Sequence, residues 1–315
     1  MRSQTRNTLR HSLFSVLVVI TGMHPPCAQS GDGQREKQAG LTGLEGPYLG
    51  QATPGMTAEL FAPGIISVDG RYEFAVGFAP GGDRILFTVQ TEDDEVKVLH
   101  TRQVGGRWTA PAPVSLASGA RKDEMEAFFS PDGQHVYFAP YDEGMDVRIW
   151  RVSVEGNGWS DPLPLPGAIS TDPAFYPTMA DDGTLFYTNI KERRPYFSRQ
   201  STDGAWSAQA VEVAFGGHAF IAPDQSFLLL DARADNSLGG GDIYVAFPAG
   251  DGGWQKPVNL GPGVNSAFSE SCPSLSADGK FLFFSRYDEE GGESQIYWVS
   301  AEVIGQANSR PAQAE

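Results

Sequence analysis

Glu73, Glu124 and Glu270 each stand seven residues ahead of one recurring landmark, a tight turn rich in Pro, Asp and Gly. Two further copies of the landmark have Ala174 and Gly216 at that place. Three carboxylates set around one ring could bind a cation, or share general acid and general base roles. They serve equally as solvated or hydrogen-bonded structural groups, because the environment that would perturb a carboxylate is not written in residue order. His218 falls near the start of the fourth copy's first strand, where it is either a ligand or a hydrogen-bonded structural imidazole. Beyond the second strands come Tyr141-Asp142, Asp231 with Arg233, and Arg286-Tyr287-Asp288. Mixed charge with Tyr suits a rim that meets a glycan or a peptide. The candidate ligand-binding residues are therefore Glu73, Glu124, Glu270, His218, Asp231, Arg286 and Tyr287.

No catalytic residue and no metal ligand is assigned from motifs. The chain has no G-x-S-x-G, no H-E-x-x-H and no Cys-x-x-Cys, and no cofactor is expected. His135, inside a repeat strand, reads as structural. The acidic loops TEDDE (91–95) and ADNSLGGGD (234–242) could hold calcium, but neither has the spacing of an EF-hand.

The elements that must position these residues repeat. FAPGGDRILF (78–87), FSPDGQHVYF (129–138), MADDGTLFY (179–187), IAPDQSFLLL (221–230) and LSADGKFLFF (275–284) are versions of one segment. The place of the proline falls at Pro80, Pro131, Asp181, Pro223 and Ala277, in steps of 51, 50, 42 and 54 residues. In Ser130-Pro131-Asp132-Gly133, Pro pre-sets φ for a type I turn and Gly takes the left-handed conformation that closes the hairpin. Gly82, Gly133, Gly183 and Gly279 keep that role, whereas Gln225 replaces glycine in the fourth copy and predicts a strained turn or one of another type. The runs after each turn are almost unbroken in apolar residues, which predicts strands buried on both faces.

A second landmark, a glycine-bearing turn, ends at Trp108, Trp159, Trp206 and Trp254. Its constant place in the unit predicts packing between units rather than sugar stacking. Each unit then reads as a four-stranded antiparallel meander of about 40–50 residues, the size of a propeller blade. The fifth unit lacks its last strand, and AELFAPGIIS (58–67) looks like the missing one. Its link Pro63-Gly64-x-x-Ser67 returns at Pro166-Gly167-x-x-Ser170 and Pro262-Gly263-x-x-Ser266. The expected fold class is all-β, a five-bladed β-propeller of four-stranded antiparallel blades whose ring is closed by an N-terminal strand. The alternative, a six-bladed ring, needs a unit with no recognisable turn.

The S-P-D-G turn followed by an aromatic strand, with later strands such as Asp242-Ile243-Tyr244-Val245 and Gln295-Ile296-Tyr297-Trp298, resembles the TolB-type, WD-repeat-like β-propeller family over roughly residues 70–304. Asp181 and Ala277 in place of proline, and Gln225 in place of glycine, depart from the pattern. The resemblance implies a domain of the exported or periplasmic kind that serves protein or ligand binding, a functional expectation by analogy alone.

Bulk properties agree with export. Arg2, Arg6 and Arg10, the apolar run Leu13–Thr21 and the small residues of Ala28-Gln29-Ser30 form a signal-peptide pattern over 1–30. Cleavage there removes three arginines and no acid, taking the formal net charge from −16 to −19. Such a surface repels nucleic acid and anionic membranes. It also leaves Cys272 as the only cysteine, so no internal disulfide staples the fold. Residues 31–45 are expected as a flexible linker, 46–304 as the propeller and 305–315 as a flexible tail. The functional expectation is a monomeric binding module, periplasmic or secreted, that presents a channel mouth to a protein, peptide or glycan. It assigns no catalysis and no membrane insertion after cleavage. The alternative is a carbohydrate-active enzyme of glycoside hydrolase type using the mouth carboxylates.

Overall fold

The computed structural model describes residues 44–91, 93–142, 146–250, 252–289 and 292–309. The expected signal segment and residues 31–43 lie outside them. Each of the five turn copies builds an antiparallel meander. Unit 1 runs Tyr72–Phe78, Arg84–Gln90, Val96–Val104 and Ala112–Val114, and unit 2 runs Asp123–Phe129, His135–Tyr141, Trp150–Glu155 and Leu163–Pro164. Unit 3 runs Ala174–Met179, Leu185–Asn189, Arg194–Ser198 and Gln209–Ala210, and unit 4 runs Gly217–Ile221, Leu228–Ala232, Asp242–Ala246 and Val258–Asn259. Unit 5 contributes Ser269–Leu275, Phe281–Asp288 and Glu293–Ser300. Its outermost strand is Glu59–Leu60, which pairs antiparallel with Tyr297 and Trp298.

Units 2, 3 and 4 form separate sheets, while units 5 and 1 join in one curled sheet through the parallel bridge Tyr72↔Ser294. The first strand of every unit lies against the first strand of the next, and that of unit 5 against that of unit 1. Stacked antiparallel sheets whose first strands follow one another round an axis make a β-propeller. Buried side chains fill the spaces between sheets. Trp206 meets Tyr137 of the preceding unit, and Trp159 meets His100 of unit 1 at 5.8 Å between ring centroids. The repeated tryptophans therefore pack between units.

The turn chemistry is uniform. Gly82, Gly133, Gly183 and Gly279 have φ of 68°, 69°, 82° and 69°, and Gln225 adopts the same left-handed region at 59°. The Gln225 N–H donates to the Ala222 carbonyl at 2.8 Å, as that of Gly133 donates to Ser130. The fourth turn is of the same type, held without its glycine. Left-handed φ costs an L side chain about 1–2 kcal/mol. Gly133→Val should lose about that much stability in urea unfolding, whereas Gln225→Gly should gain up to about 1 kcal/mol. Equal midpoints for Gln225→Gly and the native chain would contradict a strained fourth turn.

Leu44 accepts the Trp108 N–H through its carbonyl, and Glu45 pairs with Arg107. Residues Glu302–Asn308 form an α-helix whose Val303, Ile304 and Ala307 are buried. The reason is apolar spacing: those three positions share one helical stripe. Among the described residues no helix is long and apolar enough to cross a membrane.

Candidate functional site

Every first strand carries a register shift. At each shift one residue has positive φ: Ala75 (52°), Glu126 (58°), Tyr176 (57°), His218 (32°) and Cys272 (52°). All five stand five residues before the turn position. A bulge breaks the in-out alternation of a strand and re-aims a side chain. Here it brings together residues from three units. Ligand atoms of Glu126, His218 and Cys272 all lie within 4.8 Å of one another, and all three residues are buried.

The bulge also frees an N–H from the ladder, and in units 1, 2, 3 and 5 an oxygen from the preceding unit accepts it. Thr88 Oγ1 accepts from Glu126 at 2.9 Å, Asp231 Oδ2 from Cys272 at 3.3 Å, and Ser285 Oγ from Ala75 at 3.2 Å. Unit 2 has Ala139 at this second-strand place, opposite Met125, with no oxygen to offer. The Glu126 carboxylate of the same unit takes over and accepts the Tyr176 N–H through Oε2 at 2.7 Å. Asp231 has a second partner, His218 Nδ1 at 2.5 Å, while His218 Nε2 faces Glu126 Oε1 at 3.5 Å. Phe175 and Tyr176 meet the imidazole edge-on at 5.0 and 4.9 Å.

Burial opposes charge on His218, but Asp231 and Cys272 beside it raise its pKa well above the ordinary 6.5. Burial pushes the Glu126 carboxyl up, against the pull of His218, and likewise pushes the Cys272 thiol up. The surroundings therefore favour the protonated forms of the His218 imidazole, the Glu126 carboxyl and the Cys272 thiol.

Above this floor is a cavity of about 90 Å³. Its walls include Tyr72, Phe74, Tyr141, Phe175 and Tyr287, with Arg233 and Glu270 among its polar groups. Of the residues predicted from sequence, His218 and Asp231 belong to the floor, and Tyr287 and Glu270 line the cavity. Glu73, Glu124 and Arg286 are not among the lining residues. Each predicted glutamate instead clamps the link that leads into its own first strand. Glu73 takes the Val68 N–H and Arg71 Nε, and Glu124 takes the N–H groups of Leu116 and Ala117. Glu270 takes Ser266 and Arg286, whose guanidinium stacks 4.2 Å from the Tyr297 ring centroid. Of the three carboxylates expected at the mouth, Glu270 lines the cavity while Glu73 and Glu124 do not, because position seven precedes the bulge and position five is re-aimed by it. Asp242, in the acidic 234–242 loop, accepts N–H groups of Leu238 and Gly239 and so is used by its own loop.

Burial, countered in part by Arg71, raises the Glu73 pKa from 4.5 to about 8. A raised folded-state pKa gives stability that is complete below the unfolded value and is lost as pH rises through the folded one. The native chain should therefore lose melting temperature between pH 4.5 and 8 more steeply than Glu73→Gln, which cannot ionise. Parallel melting curves for the two proteins across that window would contradict a neutral buried Glu73.

No protein-family model matches the chain, and no curated protein matches it. Solved structures do. A thermostable family-43 glycoside hydrolase is similar at TM-score 0.50 and 12% identity, over 73% of this chain and 89% of that one. A protein designated TolB from Agrobacterium tumefaciens aligns at TM-score 0.49 and 15% identity, over 74% of this chain and 78% of that one. A gluconolactonase from Xanthomonas campestris aligns at TM-score 0.46 and 10% identity, over 74% and 86%. Identities this low speak to fold alone, and the three proteins carry different designations, so function has to be argued from the site.

Proposed function

We propose that the chain is an exported, monomeric binding module, a five-bladed β-propeller that takes the end of a glycan into the cavity at one channel mouth. Five blades account for the cyclic contact of the first strands and for a last blade completed by the N-terminal strand. The signal-peptide pattern and the acidic surface support export. The observation that carries the ligand class is the cavity itself: aromatic walls from Tyr72, Phe175 and Tyr287 over a polar floor of Glu126 and His218. Aromatic faces suit the apolar side of a sugar ring and polar groups fix its hydroxyls.

Hydrolysis by the mouth carboxylates is the weaker reading. It needs two carboxyl groups facing one bond. Of the three predicted glutamates only Glu270 lines the cavity, and its carboxylate is engaged by Ser266 and Arg286.

Calorimetric titration with a panel of neutral oligosaccharides tests the proposal. Binding is expected, with Tyr287→Ala weakening it at least about tenfold, a loss of about 1.4 kcal/mol. A panel that fails to bind, or affinity untouched by Tyr287→Ala, would remove the glycan reading. Release of reducing ends would revive the hydrolase.

A further inference from the structure

We infer that Glu126, His218 and Cys272 bind a zinc-class divalent cation at the floor of the cavity, with one coordination position open to the cavity. Three observations carry this. The first is the donor set: one imidazole, one carboxylate and one thiol, supplied by three different units and gathered within 4.8 Å. Sulfur and nitrogen donors select zinc-like ions over calcium or magnesium, which prefer all-oxygen sites. Zinc bond lengths imply donor–donor separations of about 3.3–3.8 Å; His218 Nε2 and Glu126 Oε1 already stand 3.5 Å apart, and no pair of donors would have to close by more than about 1.5 Å.

The second observation is that each donor is already held from behind. Asp231 binds His218 at Nδ1, which leaves Nε2 as the ligand atom and sets up a carboxylate–imidazole–metal relay. Tyr176 donates its N–H to Glu126 Oε2, leaving Oε1 on the side of His218 Nε2. The Cys272 N–H is tied to the same Asp231 oxygen that orients the imidazole. One aspartate thus positions two of the three ligands.

The third is an unsatisfied atom. Asp231 is 1% exposed and lines the cavity, yet among the described residues its Oδ1 has no hydrogen-bond partner. A buried, unpartnered carboxylate oxygen is costly unless something completes it. Water on a bound cation would. Three protein donors with a fourth position facing solvent or ligand is the arrangement of an open zinc site rather than a closed structural one. The inference does not depend on which ligand enters the cavity.

Cobalt(II) is the probe. The purified chain, stripped with chelator, is expected to take up one cobalt ion per molecule. A thiolate-to-cobalt charge-transfer band should appear in the near ultraviolet, and zinc should bleach it. Cys272→Ser should abolish that band while still melting cooperatively. Asp231→Asn, which keeps an oxygen toward the ring, should weaken zinc about 10–100-fold. No stoichiometric uptake of cobalt or zinc by the folded native chain would overturn the site. An undiminished charge-transfer band in Cys272→Ser would overturn it as well. Should the variants fail to fold, the native chain decides alone: zinc must raise its melting temperature and chelator must reverse the rise. Oligosaccharide titration of the stripped chain keeps this result separate from the glycan reading.

Discussion

His218→Ala is expected to destabilise the metal-free chain by about 3–5 kcal/mol, the cost of leaving one member of a buried charge pair alone. Asp231 is 1% exposed and Glu126 4%, so neither carboxylate can turn to water when the imidazole goes. A side chain of similar volume with no charge would fare little better, because the loss comes from the unpaired acids more than from the cavity. The check is urea unfolding of His218→Ala, Asp231→Ala and the double variant. If the pair is what matters, the double variant should be more stable than the two single losses added together. Asp231→Ala carries a further loss, since the Cys272 N–H then has no acceptor. Simple additivity, or a His218→Ala loss below about 1 kcal/mol, would mean that the imidazole is an incidental neighbour. A drop of this size is a large part of the ~5–15 kcal/mol that holds a domain together.

The architecture was readable because it is repeated in chemistry that sequence displays. Pro, Asp and Gly have fixed turn preferences, so five copies of one turn announced five meanders, and the orphan segment 58–67 announced its partner. The site was half readable. His218, Asp231, Tyr287 and Glu270, singled out from sequence, line the cavity; Glu126 and Cys272 line it without having been singled out. Strand reasoning assumes that side chains alternate with period two, and a bulge breaks that period without a residue signature of its own. The five bulge residues are Ala, Glu, Tyr, His and Cys, which share no type. A signal existed nevertheless. Stacking the repeats on the turn puts Glu126, His218 and Cys272 in one column, five before the turn, where three of the five residues can bind a metal. The column at seven drew attention instead because it repeats one residue. Repetition of Glu73, Glu124 and Glu270 reflects a repeated structural task, clamping the preceding link, whereas a site at an axis needs different groups from different units. In a quasi-symmetric fold, uniform columns point to architecture and heterogeneous polar columns point to chemistry.

Deleting residues 46–68 is expected to abolish cooperative folding altogether. The segment does more than cap an edge. Glu59 and Leu60 pair with Trp298 and Tyr297, and the Phe61 N–H donates to the Ile296 carbonyl at 2.8 Å. Ser67 Oγ exchanges hydrogen bonds with both the carbonyl and the N–H of Ile296. Phe61 and Ile66 are fully buried, and Phe61 packs edge-on against Phe283 at 4.9 Å between centroids. Truncating one buried Phe costs about 3–5 kcal/mol and one buried Ile about 2–5. Together with Leu49, also buried, these losses reach the whole stability of a typical domain. The deletion would also leave the outer edge of residues 296–300 unpaired, inviting aggregation. Phe61→Ala grades the effect: it should remain folded but lose about 3–5 kcal/mol in urea, with an unchanged slope. A soluble truncation that melts in one cooperative step near the native temperature would show that the ring does not need its N-terminal strand. Units 1 and 5 would then be held by the contacts that do not involve the segment: the bridge Tyr72↔Ser294, the Ala75 N–H on Ser285 Oγ, Ser274 Oγ on the Val76 carbonyl and Ser294 Oγ on the Glu73 carbonyl.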